Sequence, residues 1–164
     1  MGIKLNLGCG IYMKPGFLNL DIFIDESGLP EGCEVKKWDA RDGLPEIKDN
    51  SVEAITMSHF LYAIEETSYP MFFKELYRVL EKGGIVRITD DNYDQPPEMF
   101  NKFAMGRPGM VTHTTRPMLW KYLGDAGFEV HDASNRTTFY KDDSLMQEYH
   151  GGYIKVFYVE GIKK

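Results

Sequence analysis

The sequence predicts an α/β domain built on a mainly parallel sheet, and two observations predict it. Short apolar runs of strand length alternate with amphipathic helical stretches, the pattern of strand-crossover-strand units. A Gly8-Cys9-Gly10 turn follows the first apolar run directly and Asp21 closes the second, which gathers chain reversals and charge where the carboxyl ends of parallel strands form a ligand site. A chain of 164 residues with 43% hydrophobic and 13% aromatic residues suits one domain, 1–164, with a real core.

Taken in order, Ile3 to Leu7, Phe17 to Ile22, Val35 to Trp38, Val52 to Met57 and Gly84 to Thr89 read as strands. "HFLYAIEE" reads as a short helical piece. In "SYPMFFKELYRVLEKGG", Ser68 is the expected N-cap and Pro70 sits in the first turn. Phe72, Leu76, Val79 and Leu80 recur at helical spacing until Gly83 closes the helix in a left-handed cap. "TTRPMLWKYLGDAGFEV" repeats this grammar, with Thr115 or Arg116 leading in, Pro117 early, Leu119, Tyr122, Leu123 and Ala126 on one face, and Gly127 as terminator. "FEVHDAS" and "YIKVFYVEG" are strand-like with no helix between them, which predicts an antiparallel pair at one edge. The Pro-, Gly- and Met-rich stretch over 91–113 is long for a loop and reads as a lid or substrate insertion.

Charge and composition narrow the function. A net charge of −6 and a pI near 5.2 argue against holding a nucleic-acid backbone or an anionic membrane by broad electrostatics. No run approaches the ~18 apolar residues of a membrane span, and no signal core opens the chain, so a cytoplasmic protein is expected. Two cysteines make neither a disulfide framework nor a zinc site, and His113, His131 and His150 lack ligand spacing, so no metal is expected.

The opening stretch can then be read chemically. Two glycines after a buried strand let the backbone turn sharply and keep side chains away from a ligand. The third glycine of the dinucleotide fingerprint is missing, since position 13 is Met13, and Asp21 follows Gly8 by only thirteen residues. The connection from Gly8 to Gly16 therefore has room for about one turn in place of the usual first helix. That counts against a pyrophosphate cofactor and suits an adenosine-bearing ligand without phosphates, whose ribose hydroxyls Asp21 can accept with two oxygens.

At these residues the chain resembles the class I S-adenosylmethionine-dependent methyltransferases, in particular the small methyltransferase type 11-like proteins. "LNLGCG" is similar to their glycine-rich motif and "GFLNLDI" to the strand with the ribose-binding acid. "WDARDGLPEIKDNSVEAITMSHFLYAI", "LYRVLEKGGIVRITD" and "TRPMLWKYLGDAGFEV" follow in the family's order. The resemblance implies a Rossmann-like seven-stranded sheet in the order 3-2-1-4-5-7-6, strand 7 antiparallel, with helices on both faces. It implies S-adenosylmethionine as cofactor, contacted by Leu7, Gly8, Cys9, Gly10, Asp21, Ile22, Asp39, Ala40 and Ser58, with Asp39 accepting from the adenine amino group. Four positions depart from the pattern: Glu53 in the fourth strand, Lys82 before the Gly-Gly pair, and Tyr62 and Ala63 where the family carries Glu-His. Cys9 reads as a packing residue of the turn.

Methyl transfer needs an aligned nucleophile in a dry site, and a base near neutrality helps an oxygen or nitrogen nucleophile lose its proton. His59, just past the fourth strand, is the expected base or positioning residue. In the insertion, Tyr93, Arg107 and His113 are expected to meet the acceptor, a small or carbohydrate-like molecule. Other readings stay open: a non-catalytic protein that binds S-adenosylmethionine or S-adenosylhomocysteine, and behind it a nucleic-acid methyltransferase, disfavoured by acidity and the lack of a base-flipping motif.

Overall fold

The computed structural model describes residues 2–24, 26–91, 111–134, 137–145 and 156–164. Seven strands form one sheet: β1 (Ile3–Leu7), β2 (Leu18–Asp21), β3 (Glu34–Lys37), β4 (Val52–Ser58), β5 (Leu80–Asp91), β6 (Phe128–Ala133) and β7 (Val156–Lys163). Their order is β3-β2-β1-β4-β5-β7-β6, parallel from β3 to β5, with β7 antiparallel to both of its neighbours. Among the described residues two α-helices, α1 (Tyr69–Val79) and α2 (Arg116–Ala126), pack on the sheet. No helix among the described residues is long and apolar enough to cross a membrane.

One face of the sheet carries the main core. Leu5 and Leu7 of β1, Ile55 and Met57 of β4, Val86 and Ile88 of β5, and Phe157 and Val159 of β7 meet Phe72, Phe73, Leu76 and Val79 of α1 and Leu119 and Leu123 of α2. The opposite face is covered by Phe17, Tyr140 and Leu145, the last in a 3-10 turn over Asp143–Leu145. Among the described residues both α-helices share a face, and the other face is packed by loops and 3-10 turns. The first connection, residues 8–17, is too short for a full crossover helix, and the described residues of the second, 22–33, form a 3-10 turn, Glu26–Gly28.

Two side chains stand in for the missing first helix. The Asn6 amide donates to Asn19 Oδ1 (2.8 Å) and to the Tyr12 carbonyl (3.0 Å), while Asn19 accepts from Lys14 N and donates to the Lys14, Phe17 and Glu34 carbonyls at 3.0–3.1 Å. Asn6 and Asn19 are buried, and they satisfy backbone groups that a helix would have satisfied within itself.

The helices follow the sequence with two corrections. Thr115 caps α2 by accepting from Met118 N, and Gly127 ends it in the left-handed region at φ 107°. Ser68 makes no capping hydrogen bond, because "HFLYAIEE" and its sequel form two 3-10 turns, Leu61–Ala63 and Glu66–Ser68, that lead the chain into α1 already coiled. Gly83 does not cap α1 either. The helix stops at Val79, Leu80 turns extended and pairs with Val52, and pairing resumes at Ala54 with Ile85. Gly83 (φ 80°) lies in the bulge between, where a Cβ at Gly84 would stand 2.8 Å from the Glu81 carbonyl oxygen. β5 is consequently longer than the sequence suggested.

Candidate functional site

The carboxyl ends of β1 to β5 come together on one edge, and the glycine turn opens it. Gly8 (φ 64°) reverses the chain, and its N–H donates to the Leu20 carbonyl at 2.8 Å. The Phe60 ring lies directly on Gly8, so a Cβ there would be 2.2 Å from Phe60 Cδ2. Gly10 (φ 50°) differs: a Cβ there would meet no atom within 4 Å. Only the glycine at 8 is demanded by packing, while the one at 10 borders open space. Leu7 is fully buried, so it offers this edge chiefly its backbone, whereas Ile22 is exposed there. The Cys9 thiol is buried and pushed up to about 11, by burial and then by the Asp21 charge, which leaves it an inert packing group.

Asp21 ties the cradle together. Its Oδ2 accepts from Gly10 N at 2.8 Å and its Oδ1 from Phe23 N at 2.9 Å. A carboxylate has about four acceptor positions, so two remain for further donors. The Asp21 carbonyl also accepts from Trp38 N at 2.8 Å, which sets the end of β3 beside it. Asp39 then caps the 3-10 turn Ala40–Asp42, and Arg41 folds back on the Asp39 carboxylate with Nε 2.9 Å from Oδ1. The Arg41 guanidinium, and then the Arg41 backbone N–H, hold the Asp39 carboxyl down to about 2. Asp39 is thus an ionised acceptor already engaged by Arg41, and Ala40 is half-buried behind it. Open space at Gly10 and unused acceptor positions on Asp21 fit an adenosine-bearing cofactor.

At the end of β4, Ser58 Oγ lies 2.9 Å from His59 Nδ1, and His59 N donates to the Thr89 carbonyl at 2.8 Å. His59 sits at φ 51°, the left-handed region that a non-glycine residue enters only when its surroundings over-determine it. His113 is exposed, between the buried Thr112 and Thr114. Tyr93 and Arg107, with the rest of the expected insertion from residue 92 to 110, lie outside the described residues. Among the described residues no group of His, Cys, Asp or Glu could hold a metal ion. Glu53 stands far from this edge, at the start of β4, where Tyr140 Oη (2.9 Å) and Lys141 Nζ (3.2 Å) donate to it.

The sequence reading did not single out Trp38 and Phe60. Their rings, 5.9 Å apart, form the floor between the glycine turn and the end of β3, and Phe60 continues to Phe72 at 6.2 Å. The available signal was position, since each is an aromatic residue within two positions of a strand's carboxyl end.

The family described as "Methyltransferase domain" matches residues 21–88. No curated protein matches the chain in sequence. Among solved structures, a SAM-dependent methyltransferase from Archaeoglobus fulgidus is similar at 15% identity and TM-score 0.74, covering 99% of this chain and 86% of its own. A possible histamine N-methyltransferase from Thermotoga maritima is similar at 19% identity and TM-score 0.67, covering 100% and 83%. A Haemonchus contortus N-methyltransferase solved with phosphomonomethylethanolamine and S-adenosylhomocysteine shows 15% identity and TM-score 0.64, covering 99% of this chain and 49% of its own. The matched stretch starts at Asp21 and runs through the ends of β3 and β4 into β5, which takes in that part of the edge, while the Gly8–Gly10 turn precedes it. Residues 21–88 thus match the methyltransferase-domain family, and the whole chain shares the fold of these S-adenosylmethionine-dependent methyltransferases.

Proposed function

We infer that the chain binds S-adenosylmethionine as its cofactor and transfers its methyl group to an oxygen or nitrogen of a small or carbohydrate-like acceptor. The observation that carries this reading is the meeting, on one edge, of the Gly10–Asp21 cradle with a histidine held in a strained left-handed turn at the end of β4. S-adenosylmethionine supplies an activated methyl on a sulfonium, so the protein's work is to bind, align and keep water out. In that division Leu7, Gly8, Cys9, Gly10, Asp21, Ile22, Asp39, Ala40 and Ser58 hold the cofactor. If His59 Nδ1–H donates to Ser58 Oγ, Nε2 keeps the lone pair and can take the acceptor's proton. We place the acceptor on the side of His113, with the 91–113 insertion as its cover in a single domain. A net charge of −6 supports a small acceptor over a duplex. Two of the structural neighbours, the possible histamine N-methyltransferase and the protein solved with phosphomonomethylethanolamine, are associated with amines.

Transfer of labelled methyl from S-adenosylmethionine to a panel of small alcohols, sugars and amines tests the reading. Label should appear in at least one member and disappear with His59→Ala. Binding by calorimetry with no transfer to any acceptor would establish the non-catalytic binding protein instead. Asp21→Ala should weaken S-adenosylhomocysteine binding by about 1.5–3 kcal/mol, the scale of hydrogen bonds to a charged acceptor. Unchanged affinity would put the ribose elsewhere.

A further inference from the structure

The half of the edge that carries His113 is stapled to the turn that follows His59. Val111 N (2.9 Å) and Thr112 N (3.1 Å) both donate to the Tyr62 carbonyl. Thr112 Oγ1 donates to the Ile64 carbonyl at 2.7 Å. Tyr69 Oη, from the first turn of α1, donates to the Leu61 carbonyl at 2.9 Å and lies 3.3 Å from Thr114 Oγ1. Thr112, Thr114 and Tyr69 are all buried, so these bonds are made without competition from water and their hydroxyls would be costly to leave unpaired. The turn 61–64 is in its turn continuous with Phe60, whose ring bears on Gly8 and on Trp38. A contiguous path of packed and bonded groups thus runs from the glycine turn to the segment 111–115, and it passes through no residue expected to touch the reacting atoms.

We propose that Tyr69 and Thr112 are positioning residues that couple the cofactor cradle to the 111–115 segment, with Phe60 as the contact between the two. Cofactor seated against Gly8 and Gly10 restrains the turn on which Phe60 rests. Phe60 restrains the turn 61–64, and the Tyr69 and Thr112 hydroxyls carry that restraint to the backbone on either side of His113. The acceptor wall then becomes firm when the cofactor is bound. This rests on the cofactor reading of the Gly8 turn, and its two-state element is the set of bonds from 111–114 to 61–64.

Amide hydrogen exchange tests it without knowledge of the acceptor, because the Val111 and Thr112 amides are themselves bonds of the staple. Saturating S-adenosylhomocysteine should slow exchange around Gly10 and, in the intact protein, slow Val111 and Thr112 at least about fivefold. In Tyr69→Phe and Thr112→Val the ligand affinity should stay within about twofold while the slowing at 111–112 falls below about twofold. Thr112→Ser, which keeps the hydroxyl, should restore it. Slowing near Gly10 with none at 111–112 in the intact protein overturns the coupling and leaves the cofactor reading standing. Full slowing in both variants overturns the assignment of Tyr69 and Thr112. Neither slowing nor heat of binding in the intact protein overturns the cofactor reading and this inference with it.

Discussion

Gly8 and Gly10 belong to one motif yet are glycines for different reasons, and that difference can be measured. Both have positive φ, which costs an L side chain about 1–2 kcal/mol. Gly8 in addition lies under the Phe60 ring, while the Cβ direction of Gly10 is open. Gly8→Ala should therefore lower stability by about 2–5 kcal/mol, backbone strain and overpacking together. Gly10→Ala should lose only the strain, yet its methyl would project into the space beside Asp21 and impair cofactor binding. Urea unfolding with parallel calorimetry separates the two. Equal stability losses would mean that Phe60 gives way at little cost and that the contact between the two halves of the edge is soft.

At the scale of elements, the short β1–β2 connection depends on Asn19, which serves Lys14 N, three carbonyls and Asn6 from a fully buried position. Asn19→Leu keeps roughly the volume and strands the Lys14 amide and the Asn6 amide, so the urea midpoint should fall by the equivalent of about 2–4 kcal/mol with little change in slope. A second element is held by charge. Glu75 of α1 accepts from Leu44 N (2.9 Å) and from Arg78 Nε (2.8 Å), and Arg78 also donates to the Leu44 and Ile47 carbonyls, which fastens the loop after β3 to the helix. Arg78, partly offset by burial and aided by the Leu44 amide, holds the Glu75 carboxyl below its ordinary value. A carboxyl depressed in the folded state contributes its stability fully above the unfolded value near 4.3 and loses it as pH falls through the folded value. The intact protein should thus lose more stability than Glu75→Gln between about pH 5 and pH 3, and parallel acid limbs in urea titrations would refute the role. What the sequence could show at this scale was whatever is local. The Thr115 cap, the Gly127 terminator, the lone turn after Gly8 and Asp21 at a strand end all follow from neighbours in the chain. The bulge around Gly83 and the Trp38–Phe60 floor did not, because both depend on partners brought in by strand pairing. Asp39 was legible as a carboxylate at the end of β3, whereas its engagement by Arg41 was a matter of side-chain conformation.

Across the whole molecule the two faces of the sheet are built differently. On the face opposite α1 and α2, register places Asn19, Asn6, Thr56, Arg87, Glu160 and His131 side by side in one row across six strands, the first five of them buried. Among the described residues it is loops that pack here, and polar groups hold them. Arg87 is the centre of this arrangement: Nη1 reaches Glu160 Oε1 (2.6 Å) and the Thr137 carbonyl (3.0 Å), Nη2 reaches the Ser134 carbonyl (2.6 Å), and the guanidinium lies 5.0 Å from the Tyr158 ring centre. Glu160 also accepts from Thr138 Oγ1 (2.6 Å) and Phe139 N (2.7 Å). Arg87→Met removes one partner and leaves a fully buried carboxylate, so it should cost about 3–5 kcal/mol. Adding Glu160→Leu removes that charge and should recover part of the loss, leaving about 1–3 kcal/mol for the Thr138 and Phe139 donors that then lack an acceptor. The comparison by urea unfolding decides what the pair is for. A double variant clearly more stable than Arg87→Met shows that the arginine's main work is to neutralise Glu160. One that is no better shows that the hydrogen bonds to 134–139 dominate, and that this face depends on its loops staying closed more than on its charges being balanced.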